Sequence, residues 1–252
     1  MTLGETMTVW ELRAADVPEN SELLRGLTPR ERGVVLESGR ARRFPAKSVM
    51  TYQGEPADYL LLLWKGRARY FFEAQNDRKL ILEWIMPGDT FGGAALVSGQ
   101  SKYLVSTEAV RDCIVLEWDG PTIRGLSQRF PFLLENAHRI AMEYVSWYVS
   151  AHAALSSQSA CQRLASVIFA LARTLGHKTS AGIEIAVTNE ELSDSANITP
   201  YTASRLISAW QKSGSLRKAR RKITLLSPGK FSGSSAIVPR RGQHLANNKK
   251  RS

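Results

Sequence analysis

The chain has 252 residues, 43% of them hydrophobic, and this length and composition suit one large or two small globular domains, each with a core of its own. The longest apolar run, residues 59–64, is far shorter than the roughly 20 residues of a membrane-spanning helix, and no basic and apolar leader opens the sequence. We therefore expect a cytoplasmic protein with no membrane partner. Only Cys113 and Cys161 are present, which excludes a disulfide framework and a four-cysteine metal or iron–sulfur site within one chain.

The positive charge is concentrated at one end of the chain. Residues 195–252 hold 13 of the 34 Lys and Arg side chains and no Asp or Glu, which leaves 21 basic side chains against all 23 acidic ones in the first 194 residues. A strongly basic end on a nearly neutral body is typical of a polyanion-binding module attached to another domain.

The first 130 residues contain mostly short elements. Residues 1–20 show no sustained hydrophobic period and are interpreted as an N-terminal arm, and residues 21–39 predict two short helices on either side of Thr28-Pro29, a pair that typically begins a helix. Seven short strand-like runs with glycines between them follow, at residues 42–44, 48–53, 59–65, 67–73, 78–86, 103–109 and 113–118. This succession predicts a sandwich or barrel of the jelly-roll type.

A long helix is predicted for residues 131–157. Its apolar residues alternate in steps of four and three, which is the heptad pattern of a coiled-coil seam. The seam that we predict to pair with a second copy consists of Leu133, Ala137, Ile140, Tyr144, Trp147, Ala151 and Leu155. The alternative is a helix that lies on its own domain.

Residues 158–228 have the pattern of a winged helix-turn-helix, preceded by a polar hinge at residues 156–159. Thr188 and Glu191 have the spacing of a capping box, in which the hydroxyl and the carboxylate satisfy free N–H groups at the start of a helix. Asn197 follows that helix, and asparagine enters the left-handed conformation of a tight turn more readily than most residues. The sequence therefore predicts a helix, a tight turn and a further helix.

The further helix begins at Thr199-Pro200 and has one apolar and one polar face, and the polar face lacks any carboxylate. The apolar face consists of Ala203, Leu206, Ile207 and Trp210. We assign DNA base readout to Tyr201, Ser204 and Arg205 on the polar face. Contacts with the DNA backbone are assigned to Thr188, Thr199, Thr202, Ser208 and Lys212, and to Arg217, Lys218, Arg220 and Arg221 in a predicted two-stranded wing. The alternative is a solvated, basic helical hairpin.

Several motifs occur in an order that resembles the CRP/FNR family of bacterial transcription regulators. They are a leucine-rich strand that ends at Lys65-Gly66, a Pro-Gly-Asp-x-Phe-Gly turn at residues 87–92, the long helix and the winged helix-turn-helix. The resemblance covers residues 21–228 and implies an α+β fold. It consists of an N-terminal double-stranded β-roll of the cyclic-nucleotide-binding type at residues 21–130, a dimerisation helix at 131–157 and a winged helix-turn-helix at 158–228.

The resemblance also places a possible effector pocket at Gly92, Gly93, Gly99, Lys102 and Tyr103. Members that bind cyclic AMP carry a glutamate for the ribose hydroxyl, which falls here at Gly93 or Ala94. They also carry an Arg-Ser pair for the cyclic phosphate, which falls here at Lys102-Tyr103 or Tyr103-Leu104. We therefore do not expect cyclic AMP as the effector. An FNR-type iron–sulfur cluster is not expected, because it needs several N-terminal cysteines; haem held by a histidine stays an open alternative.

We interpret the chain as a homodimeric, sequence-specific regulator that binds a palindromic promoter site in double-stranded DNA and works with RNA polymerase. In the FNR branch a glutamate, a serine and an arginine read the half-site; this chain matches Ser204 and Arg205, but Tyr201 stands in place of the glutamate.

Other functions are less well supported by the sequence. It has no nucleophile motif, no His/Glu metal spacing and no phosphate loop, so we assign no catalytic or metal-binding residues and do not expect an enzyme. A non-specific, basic nucleic-acid-binding protein is the alternative function. Residues 229–252 are predicted to form a basic, disordered tail.

Overall fold

The computed structural model describes residues 5–7, 18, 21–73, 79–97 and 101–226. The chain forms two compact units, one ending at Met142 and the other beginning at Glu143, and each is described by itself. The predicted tail at residues 229–252 and most of the predicted arm at residues 1–20 lie outside the described residues. No helix in the described parts of the chain is both long and apolar enough to cross a bilayer.

The N-terminal unit is built on two antiparallel sheets. Its strands are β1 (Glu5–Met7), β2 (Arg40–Phe44), β3 (Val49–Thr51), β4 (Tyr59–Lys65), β5 (Ala68–Glu73), β6 (Lys79–Ile85), β7 (Thr90–Phe91), β8 (Ser106–Ala109) and β9 (Cys113–Asp119). Its helices are α1 (Pro29–Glu37), α2 (Gly120–Arg129) and the first part of α3 (Phe132–Ser157). The strand orders are β1-β2-β9-β4-β7 and β3-β8-β5-β6. This architecture confirms the predicted β-roll.

Strand β1 is a difference from the prediction, because it lies inside the segment that we interpreted as an arm. Its three residues pair with β2 in the register Glu5 with Arg43, Thr6 with Arg42 and Met7 with Ala41. A three-residue edge strand is too short to show a hydrophobic period, so the pattern of the sequence did not indicate it.

Strand β4 lies inside the first sheet, between β9 and β7, and is buried on both faces. The side chains of residues 60–63 are all 2% exposed or less. Leu60 pairs with Trp118 of β9, whose indole Nε1 donates a hydrogen bond of 2.8 Å to the carbonyl oxygen of Val35 in α1. Helix α1 therefore covers one face of this sheet.

The start of α3 is held by the segment that precedes α1. Asn136 is 1% exposed, and its Nδ2 donates to the carbonyl oxygens of Leu23 at 2.8 Å and of Arg25 at 2.7 Å. Leu23 lies in a short 3₁₀ helix, Glu22–Leu24, and Arg25 follows that helix, so the two bonds satisfy carbonyl groups at its end, as buried backbone polar groups require.

We expect Asn136→Leu to lower the free energy of unfolding of the N-terminal unit by about 2–4 kcal/mol, because both carbonyl groups lose their donor while the branched shape of the side chain is kept. The measurement is urea unfolding followed by tryptophan fluorescence. Glu135→Gln is the control, since the Glu135 side chain is 63% exposed and pairs with Arg139 at the surface. Such a pair contributes about 1 kcal/mol or less. Equal losses in the two variants would contradict the role of Asn136.

The C-terminal unit contains the rest of α3 and a small sheet with three further helices. The helices are α4 (Ala160–Leu175), α5 (Asn189–Ser195) and α6 (Pro200–Lys212), and the strands are β10 (His177–Thr179), β11 (Gly182–Ile185), β12 (Leu216–Ala219) and β13 (Lys222–Leu225). The strand order is β10-β11-β13-β12. This confirms the predicted winged helix-turn-helix.

The hairpin of β10 and β11 was not predicted. All three residues of β10 are exposed, so they show no alternation of apolar and polar positions. Gly182 has a φ of +140°, and a Cβ there would collide with the carbonyl oxygen of Leu225. Only glycine permits this close approach to the wing.

Candidate nucleic-acid interface

Helix α5, which precedes the turn to α6, is capped by hydrogen bonds at both of its ends. The Thr188 hydroxyl accepts from the N–H of Glu191 at 3.1 Å, and the Glu191 carboxylate accepts from the N–H of Thr188 at 2.7 Å, which confirms the capping box. At the other end Asn197 has a φ of +49°, and the N–H of Ile198 reaches the carbonyl oxygen of Ser193 at 3.0 Å. A left-handed residue with this bond is a common way to end a helix.

Arg163 of α4 holds the same turn from the side. Its guanidinium donates to the carbonyl oxygens of Ala196 at 3.0 Å and Asn197 at 3.3 Å, and also to that of Gln158 at 2.7 Å. The planar fork of arginine can bind three acceptors in fixed directions, whereas the ammonium of lysine is a single point charge. The sequence carried no signal for this role, because the three acceptors are backbone atoms and two of them lie more than 30 residues away along the chain.

Helix α6 begins as predicted at Thr199. The Thr199 hydroxyl accepts from the N–H of Thr202 at 3.1 Å, and the two hydroxyl groups lie 2.9 Å apart. Both predicted backbone contacts therefore lie at the N-terminus of α6, where the helix dipole favours a phosphate.

The two faces of α6 have the predicted character. Ala203, Ile207 and Trp210 are buried, and Leu206 is half-buried. The opposite face consists of Tyr201, Ser204, Arg205, Ser208, Ala209 and Lys212, which together line a shallow, open depression. Tyr201 is 77% exposed, and Arg205 is exposed as well. The three predicted base-reading residues are thus on one accessible surface without a carboxylate.

The wing begins directly after α6. Gly214, with a φ of +69°, reverses the chain, and the N–H of Ser215 bonds to the carbonyl oxygen of Trp210 at 2.9 Å. Strands β12 and β13 then form a hairpin whose turn consists of Arg220 and Arg221. Arg221 has a φ of +58°, a conformation that costs a non-glycine residue about 1–2 kcal/mol.

Four exposed cations lie on this hairpin, as predicted: Arg217, Lys218, Arg220 and Arg221. Within the described parts of the chain none of the ion pairs involves them. Lys222 differs, because its Nζ lies 2.9 Å from the Glu184 carboxylate of β11. Four wing cations are therefore available to a polyanion, and the fifth is neutralised within the sheet.

The predicted dimer seam is distributed over two environments. Leu133 and Ile140 are 0% and 8% exposed, Ala137, Tyr144, Trp147 and Ala151 are half-buried, and Leu155 is 46% exposed. At Leu133 and Ile140 the helix packs against its own domain, as the alternative interpretation of this helix expected. These two side chains are not available to a second copy.

Most of the exposed apolar side chains of α3 follow members of the predicted seam by one or two positions, and Leu155 belongs to both sets. This apolar stripe consists of Leu134, Ala141, Met142, Val145, Tyr148, Val149 and Leu155. Its large members are between 46% and 65% exposed. Positions 134, 141, 145, 148 and 155 keep the seven-residue spacing of a seam. The structure therefore moves the candidate dimer face to this stripe.

The possible effector pocket is only partly described. Gly99 lies outside the described residues. Gly92 adopts a φ of +77°, and Gly93 begins a 3₁₀ turn, Gly93–Leu96. Lys102 is exposed, whereas the half-buried ring of Tyr103 lies 3.3 Å from the position that a Cβ on Gly92 would take. The structure thus brings Gly92 and Tyr103 together.

The two cysteines do not form a reactive site. Cys113 is buried, and burial raises the pKa of its thiol to about 11, while Cys161 is half-buried and burial also raises its thiol pKa. Both thiols are therefore protonated near neutral pH, which makes them poor nucleophiles and metal ligands. Among the residues that the structure describes, no three His, Cys, Asp or Glu side chains are grouped as metal ligands.

Two protein-family models match the chain, in the predicted order. The cyclic nucleotide-binding domain model matches residues 41–130, and the Crp-like helix-turn-helix domain model matches residues 162–232. The first range is the β-roll up to the end of α2, and the second contains α6 and the wing.

Individual proteins agree with these models. The transcriptional regulator LdrP of Thermus thermophilus is 28% identical over 192 residues, which cover 73% of this chain and 91% of that protein. The cyclic AMP receptor protein of the same organism is 26% identical over 199 residues, or 79% and 89% of the two chains. The c-di-GMP responsive global regulator CLP of Xanthomonas campestris has the same fold, with a TM-score of 0.71 at 18% identity over 79% of this chain and 99% of that one.

The two models thus match the two domains of one kind of protein, and LdrP, which is named as a transcriptional regulator, is matched over 91% of its length. The family consists of transcription regulators and not of enzymes. The chain belongs to the CRP/FNR family of transcription regulators, with a cyclic-nucleotide-binding-like domain and a helix-turn-helix DNA-binding domain.

Proposed function

We propose that this regulator is a homodimer that binds a palindromic promoter site, with one copy of α6 in the major groove of each half-site. The observation that carries the proposal is the exposed face of α6, which is free of carboxylates and lies in the same unit as four available wing cations. The protein acts in the cytoplasm and contacts RNA polymerase. Its β-roll controls DNA binding through a state that does not depend on cyclic AMP.

Base readout is assigned to Tyr201, Ser204 and Arg205. These residues lie in the first two turns of α6, the part of a recognition helix that enters the major groove. Arginine can hold both acceptors of a guanine, whereas tyrosine cannot replace a carboxylate as a pure acceptor for a cytosine amine. The site therefore keeps a guanine opposite Arg205 and departs from the FNR pattern beside Tyr201.

We expect Arg205→Ala to relax the preference for guanine at one position of each half-site, by about 1–3 kcal/mol. The measurement is a binding selection on randomised sites, followed by competition titrations with single-base variants. Ser208→Ala is the matched control, because Ser208 is exposed on the same face and is assigned only to the backbone. A uniform loss of affinity in Arg205→Ala, with no relaxed position, would show that Arg205 contacts phosphate alone.

We assign contacts with the DNA backbone to the four wing cations and to five further residues, which are Thr188, Thr199, Thr202, Ser208 and Lys212. Contacts with phosphates release counterions, so affinity falls with salt by a slope that counts the phosphates neutralised. This contribution is independent of base sequence.

We expect Arg220→Ala to reduce the slope of log affinity against log salt concentration by about 0.9 for each phosphate lost. Lys222→Ala is the control on the same hairpin, because Lys222 is already paired with Glu184 at 2.9 Å and should leave the slope unchanged. Fluorescence anisotropy at several salt concentrations measures both. A change of base preference in Arg220→Ala would show instead that the wing reads bases.

The apolar stripe of α3 is the proposed dimer contact. Two copies that read a palindrome need both helix-turn-helix units at the same end of the dimer, so their α3 helices run parallel. The stripe has the seven-residue spacing that keeps two parallel helices in contact. Dimers are typical of CRP-family regulators.

We expect Val145→Asp to convert the dimer into a monomer, because a carboxylate is costly in an apolar seam. Light scattering should then show the mass of one chain, 28.0 kDa, in place of twice that value. Ser146→Asp is the control, because Ser146 is exposed beside the stripe and not in it. Ile140→Asp should instead destabilise the N-terminal unit, since Ile140 is 8% exposed within its own chain. A Val145→Asp protein that stays dimeric at low concentration contradicts this contact.

The alternative function, non-specific nucleic-acid binding through the basic end of the chain, makes a different prediction. A sequence-specific regulator prefers its site over random DNA by roughly a thousandfold or more at the same salt concentration. Titration with the selected site and with scrambled DNA of the same length separates the two functions.

A further inference from the structure

A single side chain closes an open edge in the β-roll. Strand β7 has only two residues, and they pair with Leu61 and Leu62 of β4. The chain then turns away at Gly92, whose φ is +77° and whose Cβ would collide with the carbonyl oxygen of Tyr59. By the two-residue period of a ladder, the N–H and the carbonyl of Tyr59 face the place where β7 would continue.

The phenol of Tyr103 occupies this place. Its hydroxyl accepts from the N–H of Tyr59 at 3.2 Å and donates to the carbonyl oxygen of Tyr59 at 3.1 Å. One hydroxyl thus satisfies both backbone groups that a further strand residue would have satisfied. Burial raises the pKa of Tyr103 to about 12, so the hydroxyl keeps its proton, and hence its role as donor, at neutral pH.

The position of Tyr103 is fixed from a second side. Its backbone N–H donates to the carbonyl oxygen of Glu55 at 3.0 Å, and its carbonyl oxygen accepts from the N–H of Gly54 at 2.9 Å. The neighbouring Lys102 forms an isolated antiparallel β-bridge with Pro56. The ring therefore enters the site from a segment that is held by hydrogen bonds on both sides of the residue.

The 3₁₀ turn Gly93–Leu96 that follows Gly92 is also held by the chain itself. Arg124 of α2 donates through Nη1 to the carbonyl oxygen of Ala95 at 2.8 Å. Gly120, at the start of α2, leaves room for this guanidinium, because a Cβ there would lie 2.6 Å from Nη1. The segment from Gly92 to the end of the turn thus lies beside the Tyr103 ring at Gly92 and is held by α2 at Ala95.

We propose that Tyr103 is a built-in occupant of the sensor roll: its ring lies beside the Gly92 turn and its hydroxyl closes the edge of β4 at Tyr59, so the chain itself fills the space that an effector would otherwise take. The Gly92 turn consequently adopts this conformation without a ligand, and the regulator binds DNA without an effector. The expectation that the protein binds DNA without a ligand rests on the proposed control of DNA binding by the β-roll. The role of Tyr103 as an occupant does not depend on that proposal. A phenol-shaped space should then be created when the Tyr103 side chain is removed, and a free phenol should fill it.

The test compares the full-length wild type with Tyr103→Ala in the presence of p-cresol, which has the size and the hydroxyl of the missing side chain. We expect Tyr103→Ala to lower the melting temperature and to weaken binding to the selected DNA site roughly tenfold, the size of a typical coupling between two sites. Millimolar p-cresol should restore both quantities. Toluene, which lacks the hydroxyl, should restore less, and the wild type should respond to neither compound nor to cyclic AMP.

Two further variants keep the test decisive. Tyr103→Phe retains the ring and loses both bonds to Tyr59, so its melting temperature should fall between those of the wild type and Tyr103→Ala. Leu104→Ala is the control, because Leu104 is 84% exposed and adjacent in sequence, and it should behave as the wild type. If Tyr103→Ala folds only when p-cresol is present, the role as occupant is likewise supported.

Three results would overturn the proposal. They are a melting temperature of Tyr103→Ala that p-cresol does not raise, an unchanged DNA affinity in both Tyr103→Ala and Tyr103→Phe, or a wild type that needs cyclic AMP to bind its site. Failure of the proposed function, sequence-specific DNA binding, gives a different set of results. In that case the wild type shows no preference for any site, while the effect of p-cresol on the melting temperature still reports on Tyr103.

Discussion

Helix α3 carries apolar side chains on two sides, and the described residues of its own chain cover only one of them. Leu133, Asn136 and Ile140 are in the core of the N-terminal unit, while Val145 and Val149 on the other side are more than half exposed. A helix with an uncovered apolar stripe of this length is stable in water chiefly when something packs against it. The proposed second copy would satisfy this constraint, and the same pairing would set the distance between two recognition helices, on which the proposed palindromic site depends.

Much of the fold could be predicted because local signals agreed with one another. The capping box at Thr188 and Glu191, the left-handed Asn197 and the start at Thr199 are properties of neighbouring residues, and all of them are found in the structure. The strands of the β-roll were predicted for the same reason, since glycines separate short runs of apolar residues.

What could not be predicted depends on contacts between distant segments. A heptad pattern shows that a helix has an apolar face, but it does not tell which side meets its own core. Leu133 and Ile140 of the predicted seam are for this reason buried in their own chain, and the proposed dimer face is the exposed apolar stripe. The sequence likewise gives no sign that Arg163 binds the carbonyl groups of Ala196 and Asn197, or that Lys222 is neutralised by Glu184. The assignment of Tyr201, Ser204 and Arg205 to base readout stays a prediction.

The tip of the wing shows how this protein balances folding against binding. Arg221 has a positive φ, which glycine would adopt without strain, and a glycine at the second position of a two-residue hairpin turn is the more comfortable choice for the backbone. Arginine at this position instead strains the backbone, and it places a second guanidinium at the tip of the wing. A wing redesigned for stability would therefore lose charge where DNA contact is proposed, so thermostability and operator affinity are expected to be opposing targets for selection at this single residue.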